Sequence, residues 1–157
     1  MGDNYKMSKI KFIYFDVGGV LIDWRNAFKT VNTKFKIPFD KFIDEWDIYD
    51  DQVTLGKLSP QEFWNKVRED LNIKKGNDFD FLDSWTGDYK SIKETFDFIL
   101  NNDKNYKIGI LSNIYKGMIP QLKNKNLIPN INYSLIVEFC ECGMKKPEKE
   151  IFLYAQD

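Results

Sequence analysis

The stretch Lys11-Phe12-Ile13-Tyr14-Phe15-Asp16-Val17-Gly18-Gly19-Val20-Leu21 decides the fold. Its apolar run after Lys11 is typical of a parallel strand that is covered on both faces, and the two glycines interrupt that strand. Asp16 therefore stands between a buried strand and a glycine turn. A carboxylate in that position lies at the ligand-binding edge of an α/β sheet, where it can act as a covalent nucleophile.

The composition is that of a globular protein without a strongly charged partner. The 157 residues are 43% hydrophobic and 30% charged, with a net charge of −1, and they suffice for one domain or for a small core with a lid. A charge so close to zero gives no reason to expect nucleic acid or an anionic membrane as a partner. Neither a membrane-spanning apolar run nor a secretory signal is recognisable, so we expect a cytoplasmic location.

The chain contains no histidine and only two cysteines, Cys140 and Cys142. Without histidine, Ser-His-Asp and Cys-His catalysis within the chain are excluded, and a zinc site is not expected. A disulfide between two cysteines separated by one residue is strained, so we expect two reduced thiols with a structural role. Acid–base chemistry near neutral pH is left to carboxylates, lysine or a metal-bound water.

Strands and helices alternate along the chain. Hydrophobic periodicity predicts a first strand at 9–15, further strands at 106–111 and 133–139, and helices at 90–101, at 115–125 and from Pro147 onward. This order predicts an α/β fold with a Rossmann-like parallel sheet and right-handed crossovers.

A long helix-rich stretch separates the first two predicted strands. Ser59-Pro60-Gln61-Glu62 begins one of its helices, with Ser59 as N-cap and Glu62 placed for a capping box. Because the stretch is far longer than a crossover requires, we predict an inserted cap at 24–88. The α/β core is then formed by residues 9–23 and 89–157.

Three polar side chains follow consecutive predicted strands. Asp16 ends the first strand, Ser112 ends the second, and Lys146 comes shortly after the third. Because parallel strands end at one edge of a sheet, the three side chains can converge there. A carboxylate, a hydroxyl and an ammonium around one pocket suit a phosphate group. The carboxylate attacks phosphorus, while the other two groups bind oxygen atoms and offset negative charge.

The motifs Phe15-Asp16-Val17-Gly18-Gly19-Val20-Leu21, Leu111-Ser112-Asn113 and Lys145-Lys146-Pro147-Glu148, in this order, resemble motifs I, II and III of the haloacid dehalogenase-like hydrolase superfamily. The insertion at 24–88 resembles its C1 cap. Because it has a glycine two places after the nucleophile, the sequence resembles the branch that includes sugar-phosphate phosphatases such as glucose-1-phosphate phosphatases.

The resemblance implies a role for each motif residue. Asp16 is the nucleophile and a Mg²⁺ ligand, and the backbone carbonyl of Gly18 is a second Mg²⁺ ligand. Ser112 and the Asn113 amide hold phosphate, and Lys146 balances charge. The implied reaction is Mg²⁺-dependent hydrolysis of a small phosphorylated metabolite through an aspartyl-phosphate, with the cap closing to exclude water.

Two departures from the family pattern matter. Gly18 stands where most phosphatases of the family have an acid that protonates the leaving group, and Asp23 is a candidate for that role. The acidic pair of motif IV, which completes the Mg²⁺ site, is not found in these 157 residues. The strand that carries that pair would cover the first strand, so we expect an exposed apolar edge there, through which the chain associates. We therefore expect this chain alone to be poorly soluble and inactive without a C-terminal extension.

Two alternatives to a phosphatase stay open. One is a 2-haloacid dehalogenase, in which Asp16 attacks carbon and the halide leaves without a proton. That branch uses arginine near the halide, and the sequence offers only Arg25 and Arg68. The other is a non-catalytic protein that keeps the fold for binding or regulation, which the absence of an acid at Gly18 favours.

Several conspicuous side chains are expected to be structural. The tryptophans Trp24, Trp46, Trp64 and Trp85 all lie in the predicted cap, where we expect core packing. Trp24 is the exception, because it leads from the Asp16 loop into the cap. Asp47, Asp50 and Asp51 are predicted to form an exposed acidic helix end, and Lys145 is predicted to be solvated.

Overall fold

The computed structural model describes residues 10–155, which form an α/β protein. The strands of this part are β1 (Phe12–Phe15), β2 (Ile22–Asp23), β3 (Lys90–Ser91), β4 (Lys107–Ser112) and β5 (Leu135–Glu138). Its helices are α1 (Ala27–Phe35), α2 (Phe39–Thr54), α3 (Pro60–Asp70), α4 (Phe81–Trp85), α5 (Lys93–Asn102), α6 (Met118–Asn124), α7 (Phe139–Cys142) and α8 (Lys149–Tyr154).

The three longer strands form a parallel sheet in the order β1-β4-β5. Strand β4 is central, and all of its residues after Lys107 are buried, as expected for a strand that is covered on both faces. Gly109 lets the chain pack closely here. A Cβ at this position would lie 2.8 Å from the rings of Phe12 and Tyr14 and from the Leu135 carbonyl. The predicted Rossmann-like parallel sheet is confirmed.

The ends of the predicted elements differ from the structure by a few residues. Strand β1 begins at Phe12, whereas the prediction began at residue 9, which lies outside the described residues. Strand β1 is at the edge of the described sheet, and the side chains of Phe12, Ile13 and Tyr14 are partly exposed there. Within residues 10–155, the first strand is therefore an edge strand with partly exposed apolar side chains, as the sequence predicts.

Two short strands that the sequence did not predict close the base of the insertion. Strand β2 pairs with β3 in antiparallel register, Ile22 with Ser91 and Asp23 with Lys90. The predicted helix at 90–101 consequently begins only at Lys93. Each strand has two residues, too few for an alternating pattern to be recognised. The pair holds together the two points at which the chain enters and leaves the helical insertion.

Helices α1 to α4 form the insertion and pack around aromatic side chains. The predicted capping box is present: Ser59 Oγ accepts from the Glu62 N–H, and the Glu62 carboxylate accepts from the Ser59 N–H. Trp64 is fully buried, and its indole N–H donates to the Gly76 carbonyl. The packed rings are Phe28, Phe42, Trp46, Phe63, Phe81 and Trp85.

One hydrophobic cluster joins the sheet to the insertion. Ile108 and Ile110 of β4 belong to the same buried cluster as Phe42 of α2 and Phe63 of α3. The insertion is therefore packed against the sheet rather than held by its base alone. None of the helices within residues 10–155 is long and apolar enough to cross a membrane.

Candidate active site

Asp16 follows β1 directly and is held by its neighbours at the end of the sheet. Its Oδ1 accepts a hydrogen bond from Ser112 Oγ at 2.7 Å and another from the Val17 N–H at 2.7 Å. Ser112 is the last residue of β4 and is 1% exposed. The parallel register of β1 and β4 places these two strand ends side by side, and this contact is the convergence that the sequence predicts.

Lys146 contacts the second oxygen of the same carboxylate. Its Nζ lies 2.6 Å from Asp16 Oδ2 and donates to the Leu111 carbonyl at 3.0 Å. The Lys146 N–H donates to Asn113 Oδ1, which joins the loop after β4 to the loop after β5. The structure thus brings together Asp16, Ser112, Asn113 and Lys146. Their catalytic and phosphate-binding roles stay predictions.

These side chains open into a cavity of about 470 Å³ between the sheet and the insertion. That volume is within the range of small-molecule sites. The floor carries the polar motif residues, and the insertion contributes mainly aromatic side chains. The aromatic residues of the lining are Trp24, Phe28, Trp46, Trp85, Tyr89 and Tyr115. Trp64 and Trp85 are buried in the core, as expected, although Trp85 also lines the cavity. The partly buried Trp46 and the exposed Trp24, which was the expected exception, line the cavity as well.

Gly18 is packed beneath the indole of Trp24. A Cβ at position 18 would lie 3.1 Å from Trp24 Nε1 and 3.3 Å from its Cδ1. The indole therefore occupies the space into which any side chain at position 18 would extend. Trp24 is 39% exposed and lines the cavity from this side.

Asp23 is not placed to donate a proton in the cavity. It does not line the cavity, and its carboxylate is bound by the Arg25 guanidinium, with Arg25 Nε 2.8 Å from Oδ1. Hydrogen bonds from the Arg25 side chain and backbone lower the pKa of Asp23 to about 2. A carboxyl group with so low a pKa is ionised at neutral pH, which makes it a poor acid. The candidate role of Asp23 as the replacement acid is therefore wrong.

The two arginines lie away from the cavity as well. Arg25 is engaged by Asp23, and Arg68 on α3 donates to the Ile73 carbonyl at 3.2 Å. Neither is among the residues that line the cavity. The halide contact that a dehalogenase would require of an arginine is therefore missing.

The acidic end of α2 is not simply exposed. Asp47 and Asp51 are exposed, but Asp50 is partly buried, lines the cavity and accepts a hydrogen bond from the Tyr115 hydroxyl. Burial raises the pKa of Asp50. Lys145, predicted to be solvated, is only partly exposed and pairs with Asp51 at 2.8 Å. The expectations for Asp50 and Lys145 were wrong because each residue is partly buried by a segment that is distant in the sequence and packs against it in the fold.

Helical spacing could have identified Asp50. It lies on α2 four residues after Trp46, which lies four residues after Phe42. Residues four apart share one face of a helix, and Phe42 is fully buried. An acidic residue on a buried face is a candidate for function. Tyr115, three residues beyond Ser112, carried no comparable signal.

Few protein atoms in the cavity could act as ligands of the predicted Mg²⁺. Asp16 and Gly18 both line the cavity, while no group of three or more acidic or cysteine side chains within residues 10–155 could hold a metal ion. Asp16 Oδ1 has two hydrogen-bond donors and Oδ2 has one, so Oδ2 keeps a free lone pair. One carboxylate oxygen and one carbonyl fit Mg²⁺ when water and phosphate supply the other ligands.

The two cysteines are free and half-buried, as expected. Burial is the main cause that raises the pKa of Cys140 to about 11. A thiol with a raised pKa is a poor nucleophile at neutral pH. Neither cysteine lines the cavity, so the prediction of two reduced thiols with a structural role agrees with the structure.

No protein-family model and no curated protein matches the sequence. Solved structures do match its fold. The haloacid dehalogenase (HAD) family enzyme BT-2542 from Bacteroides thetaiotaomicron, in complex with magnesium and inorganic phosphate, has a TM-score of 0.74 and 22% identity over 94% of this chain and 78% of its own. Its Asp12Ala mutant, with the same ligands, has a TM-score of 0.73 and 25% identity over 94% of this chain and 77% of its own.

A more distant match gives the same fold. The L-2-haloacid dehalogenase from Xanthobacter autotrophicus has a TM-score of 0.63 and 15% identity over 94% of this chain and 64% of its own. The chain therefore has the fold of the haloacid dehalogenase-like superfamily, as the order of its three motifs predicts.

Proposed function

We propose that this protein is a Mg²⁺-dependent phosphatase that hydrolyses a small phosphorylated metabolite through an aspartyl-phosphate on Asp16. The observation that carries the proposal is the contact of one carboxylate with both a buried hydroxyl and an ammonium. Ser112 Oγ holds Oδ1, and Lys146 Nζ lies 2.6 Å from Oδ2. These contacts fix the carboxylate in a single orientation, which lowers the entropic cost of an in-line attack on phosphorus.

Each motif residue has a task in this reaction. Asp16 attacks phosphorus, and a carboxylate nucleophile divides the hydrolysis into two easier steps. The Lys146 ammonium faces the phosphoryl group and offsets the charge that gathers on its oxygen atoms. The Asn113 amide, at the rim beside the Lys146 backbone, and Ser112 contact the phosphate. Because the carboxylate accepts the Ser112 hydrogen bond before substrate binds, that hydroxyl orients the nucleophile as well.

The metal and the insertion complete the proposal. When bound, Mg²⁺ supplies positive charge that draws a phosphate dianion towards the Asp16 carboxylate. The binding of magnesium and inorganic phosphate by BT-2542 supports this assignment. The aromatic wall of the insertion closes the cavity above Asp16. We propose that it acts as a cap that excludes water and selects the leaving group.

The cavity favours phosphate esters over haloacids. The Lys146 ammonium beside the nucleophile suits a dianionic phosphoryl group. Neither arginine lines the cavity, where it could bind a halide. The structure offers no comparable observation in favour of a dehalogenase.

The proposal is tested with the variant Asp16→Asn, which cannot form the covalent aspartyl-phosphate. Phosphate release from a panel of phosphate monoesters is measured with and without Mg²⁺, on the chain at the full length that its gene encodes. We expect activity that requires Mg²⁺ and falls by at least about 10³-fold in the variant, because the amide cannot replace a nucleophile. Rapid acid quench should trap phosphate on the wild-type protein and not on Asp16→Asn.

The matched control is Asp51→Asn, an exposed acid at the rim of the same cavity. This variant should keep the trapped phosphate. Phosphate release that persists in Asp16→Asn would refute the nucleophile, and a wild-type protein that hydrolyses none of the esters would refute the phosphatase.

A further inference from the structure

A second carboxylate faces the same cavity from the opposite wall. Asp50 lies near the end of α2 in the insertion, and Asp16 follows β1 of the sheet; both line the cavity. Asp50 is partly buried, and the Tyr115 hydroxyl donates to its Oδ1. Within residues 10–155, no residue of the three sequence motifs forms a hydrogen bond or an ion pair with Asp50. Of the three carboxylates that line the cavity within residues 10–155, Asp16 and Asp51 each pair with a lysine ammonium, and Asp50 does not.

The loops that carry the motif residues also fix the position of Asp50. Tyr115 stands three residues beyond Ser112, whose hydroxyl binds Asp16. Lys145 pairs with Asp51 and directly precedes Lys146, whose ammonium also binds Asp16. The end of α2 is therefore held at two adjacent residues, Asp50 and Asp51, by the segments that follow Ser112 and precede Lys146. Asp50 and Asp16 thus line one cavity from elements that are tied to each other.

The surroundings of Asp50 favour its protonated form. Burial is the largest cause that raises its pKa, and the nearby Asp51 and Asp47 raise it further, while the Tyr115 hydrogen bond and Lys145 oppose them. The other charged residues around the cavity are Asp16 and Lys146, which neutralise each other. A raised pKa brings a carboxyl group closer to the range in which a general acid works near neutral pH.

The side of the cavity near Gly18 cannot supply that proton. Position 18 has no side chain, and the Trp24 indole fills the adjoining space. Asp23 is bound by Arg25 outside the cavity. The carboxyl groups that line the cavity within residues 10–155 are Asp16, Asp50 and Asp51. Asp16 is the nucleophile, and Asp51 is exposed and paired with Lys145.

We propose that Asp50, on the helical wall, donates the proton to the leaving group and so replaces the acid that position 18 lacks. This inference rests on the proposed phosphatase function. In the first step a bond forms between Asp16 and phosphorus, and the ester P–O bond breaks. The departing oxygen takes the bond's electron pair and the Asp50 proton, and leaves as an alcohol.

The second step restores the Asp16 carboxylate and the protonated form of Asp50. Water attacks phosphorus, the bond between phosphorus and Asp16 breaks, and inorganic phosphate is released. Asp50, now ionised, accepts a proton from that water and is ready for the next ester. The sum is one ester and one water converted into one alcohol and one phosphate, with no other reactant.

The experiment compares two classes of leaving group in Asp50→Asn. Alkyl phosphates need a proton on the departing oxygen, whereas p-nitrophenyl phosphate does not. We expect kcat/KM for alkyl phosphates to fall by about 10²-fold or more, the usual contribution of a general acid. The value for p-nitrophenyl phosphate should stay close to that of the wild type. The asparagine oxygen can still accept from the Tyr115 hydroxyl, so the fold is preserved.

Two controls separate proton donation from a structural role. Asp44→Asn changes an exposed acid on the same helix that neither lines the cavity nor shifts the pKa of Asp50, and it should not alter the ratio between the two substrate classes. Tyr115→Phe removes the hydroxyl that holds Asp50, so it should lower the alkyl rate less than Asp50→Asn does. A loss in Asp50→Asn that is equal for both classes, or no loss at all, would overturn the assignment.

Failure of the inference and failure of the proposed function give different results. If Asp16→Asn abolishes hydrolysis while Asp50→Asn leaves the ratio unchanged, the phosphatase stands and Asp50 is not its acid. If hydrolysis survives Asp16→Asn, the proposed function fails, and the inference that rests on it fails too.

Discussion

The two walls of the cavity differ in how they are built. The sheet wall presents Asp16 and Ser112 at strand ends and Lys146 in the loop after α7, and both Ser112 and Lys146 contact the Asp16 carboxylate. The helical wall presents aromatic rings and Asp50, which reach the cavity only because α1 to α4 pack against the sheet. Chemistry common to many substrates is assigned to the first wall, and selection of the leaving group to the second.

This difference indicates how each wall responds to substitution. A strand end is fixed by backbone pairing with its neighbour, so a change of side chain there alters chemistry more than geometry. A side chain on a packed helix depends on every contact that orients the helix. Substitutions in the helical wall should therefore change the stability, the KM and the choice of substrate together.

In a comparison of the two walls, we expect the largest effect from substitution of the adjacent lysines Lys146 and Lys145, which should differ in their effects on kcat and KM. Lys146→Ala removes the ammonium beside Asp16 Oδ2, and we expect kcat to fall by about 10²–10³-fold, as when one preorganised charge partner is lost. Lys145→Ala removes only the pair with Asp51 on the helical wall and should mainly raise KM. Steady-state kinetics with one phosphate ester measure both. Equal losses of kcat would contradict the division between the walls.

The sheet wall could be predicted from the sequence, and most of the helical wall could not. Asp16 and Ser112 stand at the ends of strands that hydrophobic patterns reveal, and parallel topology brings them to one edge. Lys146 reaches the same edge from the loop after α7. The contact of Asp50 with Tyr115 joins residues 65 positions apart on elements whose relative placement depends on tertiary packing. The two-residue strands β2 and β3 were missed for the related reason that their pairing is their only signal.

An intermediate effect is expected where the helical wall touches the sheet wall. Gly56, just after α2, has φ +70°, and a Cβ there would lie 2.1 Å from the Cys140 carbonyl oxygen in α7. Gly56→Ala should lower the free energy of unfolding by about 1–3 kcal/mol through strain alone, and further through the clash. Because α2 must then move away from α7, KM should rise as well. Urea denaturation and steady-state kinetics measure the two effects.

The matched control for this contact is Gly143→Ala. Gly143 has the same φ of +70°, but its Cβ would have no atom within 4 Å. This variant carries the backbone strain without the clash. The excess destabilisation of Gly56→Ala over Gly143→Ala therefore measures the contact between the walls. If the two losses of stability are equal, the contact contributes nothing.

The smallest effect is expected at the Asp23–Arg25 pair, which belongs to neither wall. Arg25 lowers the pKa of Asp23 to about 2 from its ordinary value of 3.8. Because the pKa is lower in the folded state, the contribution of the pair to stability is present above pH 3.8 and is lost as the pH falls through about 2. Arg25→Ala should return the pKa of Asp23 towards 3.8, as NMR titration would measure, and should leave phosphate release at neutral pH unchanged. A loss of activity in this variant would indicate that Asp23 or Arg25 takes part in catalysis, and it would weaken the case for Asp50 as the acid.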